Sequence, residues 1–184
     1  MLTHTSPFPI GLRAPALDQP LQRVVAITAF ALLTALSAQL ALLLPFTPVP
    51  ITLQGFVVVM AGAWLGGRDG AASQFGYLAL GLAGWSVFAA GGGPAYLLGP
   101  TGGYLLAFPL AAWLAGTAVP PGSSLARTLA GFTAATLVIF AGGATWLAQS
   151  MGIGLDRALA LGVVPFLPGE ALKIAAAAAL AVRR

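Results

Sequence analysis

The chain has 184 residues, of which only 7% are charged and 59% are hydrophobic, with a mean hydropathy of +0.95. A typical soluble domain is about 25% charged, so this composition excludes a soluble protein and leaves room for one compact membrane bundle without a further soluble domain. There is no cysteine, which excludes disulfides, thiolate metal sites and cysteine nucleophiles, and the net charge of +4 is spread singly, with no basic run to hold nucleic acid.

Residues 1–20 carry Pro7, Pro9, Pro15 and Pro20 and no apolar core. They read as an irregular cytoplasmic tail rather than a cleavable signal. The first predicted span is 24–44, an uncharged run between Arg23 and Pro45. About 20 apolar residues in a helix cross the hydrocarbon core. Within it, small residues recur at four-residue spacing, notably Ala31 and Ala35, and such faces allow helices to approach closely in lipid. This pair is the candidate surface for docking a partner membrane subunit, although an alanine-rich helix also produces the spacing by chance.

Pro45, Pro48 and Pro50 then break the chain. Apolar runs at 52–65 and 71–83 flank a glycine-rich turn that holds Arg68 and Asp69. Both are short for full spans, and local thinning of the bilayer or burial in a bundle accommodates them. Residues 84–103 form an uncharged glycine-rich loop containing Trp85, Phe88 and Tyr96. Its aromatics predict that it folds back as a lid, and its glycines permit positive φ and close approach to a ligand. No phosphate-cradling motif is present. Further spans are predicted at 103–118, 128–149 and 168–182, with a short helical lead-in at 158–164.

The sum is an all-α integral membrane protein, a six-transmembrane-helix bundle forming one membrane domain over 1–184. Six spans put both termini on one side. Arg13, Arg23, Arg68, Arg127, Arg183 and Arg184 share that side, against Arg157 alone opposite, so the positive-inside rule makes both termini cytoplasmic.

Glu170 and Lys173 are the only charges placed inside a lipid-compatible segment. A charge at the centre of a membrane helix costs about 2.5–3.5 kcal/mol on insertion scales. At i,i+3 the two share a helix face, and Lys173 lies about 7–8 Å below Pro168. Two readings stand: a structural ion pair between helices, or a ligand-binding pair. Thr47, Thr52 and Gln54 approach from the proline loop on the same outer side, with Thr52 equally suited to capping a helix. The placement describes a shallow pocket opening outward. Asp18, Asp69 and Asp156 fall in tails or turns and read as solvated surface charge. His4, the single histidine, lies in the tail, and no metal-ligand cluster or serine–base arrangement is visible.

Four segments, TPVPITLQ at 47–54, AGAWLGGRDGAASQFGYLALGLAGWSVFA at 61–89, GGGPAYLLGPTGGYLLAFPLAAWLAG at 91–116 and PFLPGEALK at 165–173, resemble the BioY family. BioY proteins are the biotin-specific S components of energy-coupling factor (ECF) transporters. The resemblance implies the S-component fold, a plasma-membrane location, capture of biotin as a transported ligand with no cofactor, and docking to a T component and two ATPase subunits. It also implies a pocket built from Thr47, Gln54, Phe88, Gly91, Gly92, Tyr96, Thr101, Gly102, Tyr104, Glu170 and Lys173. The chain departs from the family's pattern at Glu170, where Asp is frequent, and at Trp85, where Pro is common. The competing functions are an S component or small permease for another vitamin such as thiamine or riboflavin, an intramembrane enzyme, and a purely structural helical subunit.

Overall fold

The computed structural model describes residues 20–182. The expected irregular tail, with His4, Arg13 and Asp18, and the terminal Arg183 and Arg184 lie outside them. The helices are α1 (Pro20–Gln39), α2 (Gln54–Leu65), α3 (Gly67–Leu82), α4 (Pro94–Leu98), α5 (Gly102–Ala118), α6 (Leu125–Met151), α7 (Leu155–Gly162) and α8 (Leu167–Ala181), with a 3-10 turn at Val164–Phe166. Three apolar helical stretches are long enough to cross a membrane, Pro20–Gln39, Leu125–Met151 and Leu155–Ala181, while α2 and α5 are shorter apolar helices. The short α5 occupies the centre of the bundle, packed against α2, α3 and α6.

Several boundaries differ from the sequence expectation, each for a local reason. The helix expected over 24–44 begins at Pro20 and stops at Gln39. Leu42 instead exchanges two backbone hydrogen bonds with Ile51, at 2.9 and 3.0 Å, closing the proline loop as an antiparallel bridge. An apolar run reports compatibility with lipid, not helix as such, and Pro45 discourages helical backbone in the residue before it. Helix α3 starts at Gly67, within the expected turn. Gly66, at φ +83°, makes the whole reversal between α2 and α3. Asp69 therefore sits in the first turn of α3, where a carboxylate favours the helix's positive end.

Asp69 also corrects the reading of a solvated turn charge. It is buried and accepts a two-pronged hydrogen bond from Arg23 of α1, with Nε at 2.7 Å from Oδ2. Higher in the same α1–α3 interface, Thr34, Ser73 and Gln74 are fully buried and bonded to one another. Helix α6 runs longer than expected at both ends. Ser124 caps its start by accepting from Arg127 N, and Gly152, left-handed at φ +62°, closes its end with Ile153 N bonded back to Ala148 O at 3.0 Å, the pairing that satisfies a helix's last carbonyls. The lead-in expected at 158–164 begins earlier, as α7, and is followed by the 3-10 turn carrying Pro165.

The close-packed small-residue contact is not where the spacing in α1 suggested a partner would dock. Ala31 and Ala35 are 4% and 8% exposed and packed inside this chain; a side chain at Gly76 of α3 would meet Ala31 at 3.7 Å. The expectation that this pair forms a free docking face is thus corrected. The tightest approaches lie among α2, α3 and α5. A Cβ at Gly62 would overlap the Ala112 carbonyl oxygen, one at Gly70 would sit 2.6 Å from Gly62 Cα, and one at Gly116 would overlap Gly67 N. Close backbone approach of this kind substitutes for the hydrophobic force that lipid removes.

Candidate ligand-binding site

The proline loop, the glycine-rich loop and the α7–α8 connection meet at one end of the bundle. Thr47 Oγ1 donates to Leu161 O at 2.8 Å, tying the proline loop to α7. Lys173 Nζ donates to Thr52 O at 2.8 Å, tying α8 to the start of α2. Gly93 N donates to Gly81 O at 2.7 Å, and Trp146 Nε1 to Gly99 O at 2.9 Å, pinning the two halves of the glycine-rich segment to α3 and α6. Between them lies a cavity of about 80 Å³. One water needs roughly 10–15 Å³ on such a measure, so the space suits a larger guest.

Glu170 and Lys173 face this cavity as an ion pair, each largely buried. The geometry contains both readings of the pair. Lys173 uses two of its three ammonium hydrogens, on Glu170 Oε1 and the Thr52 carbonyl. Glu170 Oε2 lies over the first turn of α2, where a Cβ at Gly55 would stand 3.5 Å away. Both carboxylate oxygens thus sit near helix N-termini, those of α2 and of α8 itself, which favour negative charge. One ammonium hydrogen and Oε2 remain for a ligand.

Gln54 lines the cavity and is held in place. It donates from Nε2 to Tyr77 Oη at 2.7 Å and accepts from Thr52 Oγ1 at 3.1 Å. Tyr104 donates to Gly162 O at 2.8 Å, and its ring fills space that any side chain at Gly143 would overlap. Tyr96 and Thr101 line the same cavity, and their hydroxyls have no partner among the described residues.

The structure therefore gathers Gln54, Tyr96, Thr101, Tyr104, Glu170 and Lys173 around one cavity. Thr47, Phe88, Gly91, Gly92 and Gly102 are not among the residues that line it. Phe88 is 1% exposed, stacked on Tyr96 with ring centroids 5.0 Å apart and edge-on to Tyr77 at 5.4 Å. It packs over Gly81, where a Cβ would overlap the ring. Gly91 takes φ +140° to bridge back to Phe88. Side chains at Gly92 and Gly102 would overlap the carbonyls of Trp85 and Leu97. The loop does fold back over the bundle, but Trp85 remains 62% exposed and takes no part in the cover. The other lining residues, such as Val49, Phe108, Thr136, Ile139, Phe140 and Phe166, were not anticipated. In a chain this apolar, periodicity does not separate a residue facing a cavity from one facing a neighbouring helix.

The BioY family model matches residues 11–184. The chain belongs to the BioY family. Its BioY relatives include the probable biotin transporter BioY of Pyrococcus horikoshii, 40% identical over 163 residues that cover 88% of this chain and 95% of the relative. The biotin transporter BioY of Thermotoga maritima is 36% identical, with 76% and 83% of the two chains covered. Among solved structures, the S-component for biotin from an ECF-type ABC transporter superposes with a TM-score of 0.76 at 30% identity, covering 90% of this chain and 93% of that one. These relatives are transporters, not enzymes. BioY membership and the long apolar helices make the chain a multi-pass membrane protein with the ECF S-component fold.

The lid's aromatics lie against the BioY cavity wall, so occupancy should slow the loop's opening. Amide exchange over 84–103 is expected to fall on adding biotin, because Tyr96, which lines the cavity, gains a contact to hold. Unchanged exchange at saturating biotin would mean the cover is equally closed when empty.

Proposed function

We propose that this chain is the biotin-capturing component of an uptake system, binding biotin from outside the cell. The observation that carries this reading is the Glu170–Lys173 pair on the wall of a largely apolar cavity, in a chain 30% identical to a biotin S-component of the same fold. Biotin joins an apolar bicycle to a neutral ureido group and a carboxylate. An apolar pocket with a few convergent polar groups suits such a molecule, and charge-assisted bonds are strong where water is scarce. Glu170 Oε2 can accept from ureido N–H, and Lys173 can donate to the carboxylate or the ureido oxygen.

In this reading α1, α2, α3, α5, α6 and α8 are six spans of one membrane domain in the plasma membrane. Both termini are cytoplasmic, and the cavity end faces outward. Arg23, Arg68 and Arg127 all lie toward the end opposite the cavity, which supports that orientation. A T component and two ATPase subunits supply the energy. Ala31 and Ala35 being enclosed, the surface that meets the T component lies elsewhere on the bundle.

Binding of labelled biotin to the purified protein in detergent or nanodiscs tests the reading. Biotin is expected to bind, and excess thiamine or riboflavin is expected not to displace it. Saturable binding of either of those vitamins, with none of biotin, would overturn it.

A further inference from the structure

Buried polar side chains on α3 are used in two different ways. Ser73 and Gln74 bond to one another and to Thr34 of α1, and none of the three lines the cavity. Their hydrogen bonds end within the interface they tie. Tyr77 lies three residues beyond Gln74 on the same helix and is fully buried, yet its hydroxyl turns elsewhere. It accepts from Gln54 Nε2 at 2.7 Å, and Gln54 is on the cavity wall while Tyr77 is not. Burying a phenol hydroxyl costs free energy unless it is bonded, and phenylalanine would supply the ring without that cost. What the hydroxyl adds is its hold on Gln54.

Gln54 is the first residue of α2. Its long side chain is free to rotate unless something fixes the amide. Here both ends of the amide are held, Nε2 by Tyr77 of α3 and Oε1 by Thr52 Oγ1 at 3.1 Å. A carboxamide carries two N–H donors and an oxygen with two lone pairs. One of each is spent on the protein, which leaves one N–H and one lone pair in a set orientation. The Thr52 carbonyl in turn accepts from Lys173 Nζ, so Tyr77, Gln54, Thr52 and Lys173 form one connected polar chain from α3 to α8. The Tyr77 ring is itself fixed. It stands edge-on to Phe88 of the glycine-rich loop, with centroids 5.4 Å apart, and stacks on Phe108 of α5 at 6.3 Å. A ring clasped on two sides gives the amide a stiff anchor.

We infer that Tyr77 is a positioning residue for ligand capture, acting through its hydroxyl on the Gln54 amide and not by touching the ligand. This rests on the proposed biotin reading. A flexible side chain that must be ordered when the ligand arrives costs affinity. Tyr77 removes that cost by ordering Gln54 in the empty protein.

The test is a double-mutant cycle in the full-length protein, read by equilibrium biotin binding and by thermal unfolding of the empty variants. Tyr77→Phe keeps the ring contacts and removes the oxygen. It is expected to weaken biotin binding about 3- to 10-fold, the range for ordering one flexible side chain. In a Gln54→Ala background no amide remains to be held, and the same change is expected to shift binding by less than about 2-fold. A hydroxyl that served only the bundle's stability would lower the unfolding temperature and cost affinity equally in both backgrounds, and that result overturns the assignment. So does wild-type affinity in Tyr77→Phe. Should Tyr77→Phe not fold, Gln54→Asn carries the test. Its shorter arm keeps the amide but withdraws it from Tyr77, so binding is expected to fall by a similar factor, and unchanged binding overturns the assignment. Wild-type protein that binds no biotin would overturn the biotin reading, and the assignment with it.

Discussion

Lys173→Ala is expected to weaken biotin binding by about 2–5 kcal/mol, the scale for truncating one partner of a desolvated charge pair, which is roughly 30-fold to several thousand-fold. Two losses add. The ammonium hydrogen left free for a ligand disappears, and Glu170 keeps its charge in a largely buried position without its partner. The tether from α8 to the Thr52 carbonyl also goes, so the start of α2 and the proline loop lose one anchor. Thermal unfolding of the empty mutant separates that structural part from ligand contact. A folded mutant with wild-type biotin affinity would reduce the pair to a helix tie. Glu170→Gln offers a milder comparison, since the amide oxygen can still accept from Lys173 while the charge is lost.

Gly62→Val is expected to destabilise the bundle by roughly 3 kcal/mol or more, at or beyond the usual range for overpacking. A side chain there has nowhere to go. Its first carbon would overlap the Ala112 carbonyl oxygen and stand 2.9 Å from Gly116 N, so backbone rather than a flexible side chain must move. Gly70 of α3 closes on the same residue from the other side. The effect should appear as a lower unfolding temperature in detergent and poorer recovery of folded protein. A methyl at Gly169, where no neighbour lies within 4 Å, is the matched control for a glycine replacement in an apolar helix. Equal stability of the two variants would mean α2 and α5 can separate without cost. Gly62 does not line the cavity, so any protein that does fold should still bind biotin.

Composition alone established the class of this protein. Twelve charges in 184 residues cannot cover a soluble surface, and in lipid the backbone must satisfy itself, which makes helices the expected element. The strongest single-residue inference, that Glu170 and Lys173 share a helix face toward a pocket, was legible because charge is so rare here that each one carries information. The motif segments were equally legible as BioY-like, in their order along the chain.

What the sequence could not resolve has one physical cause. Where almost every residue is apolar, hydropathy no longer separates helix from extended backbone, nor a lipid face from a packed one. Leu42 therefore reads as helix, although it pairs with Ile51 across the proline loop. Ala31 and Ala35 read as an open docking face, although α3 covers them. Asp69 reads as solvated because it neighbours glycines, and only the approach of Arg23 from a helix 46 residues away accounts for its burial. Phe88, Gly91 and Gly92 belong to the glycine-rich loop, and the order of its layers, with Tyr96 on the cavity and Phe88 stacked on it, depends on how the loop folds over Gly81. Thr136 carries no signal in the sequence at all, one threonine among several in a long apolar helix. Only the meeting of α5, α6 and α8 around a cavity shows that it lines one, because a cavity is a property of the assembled bundle and not of the residue.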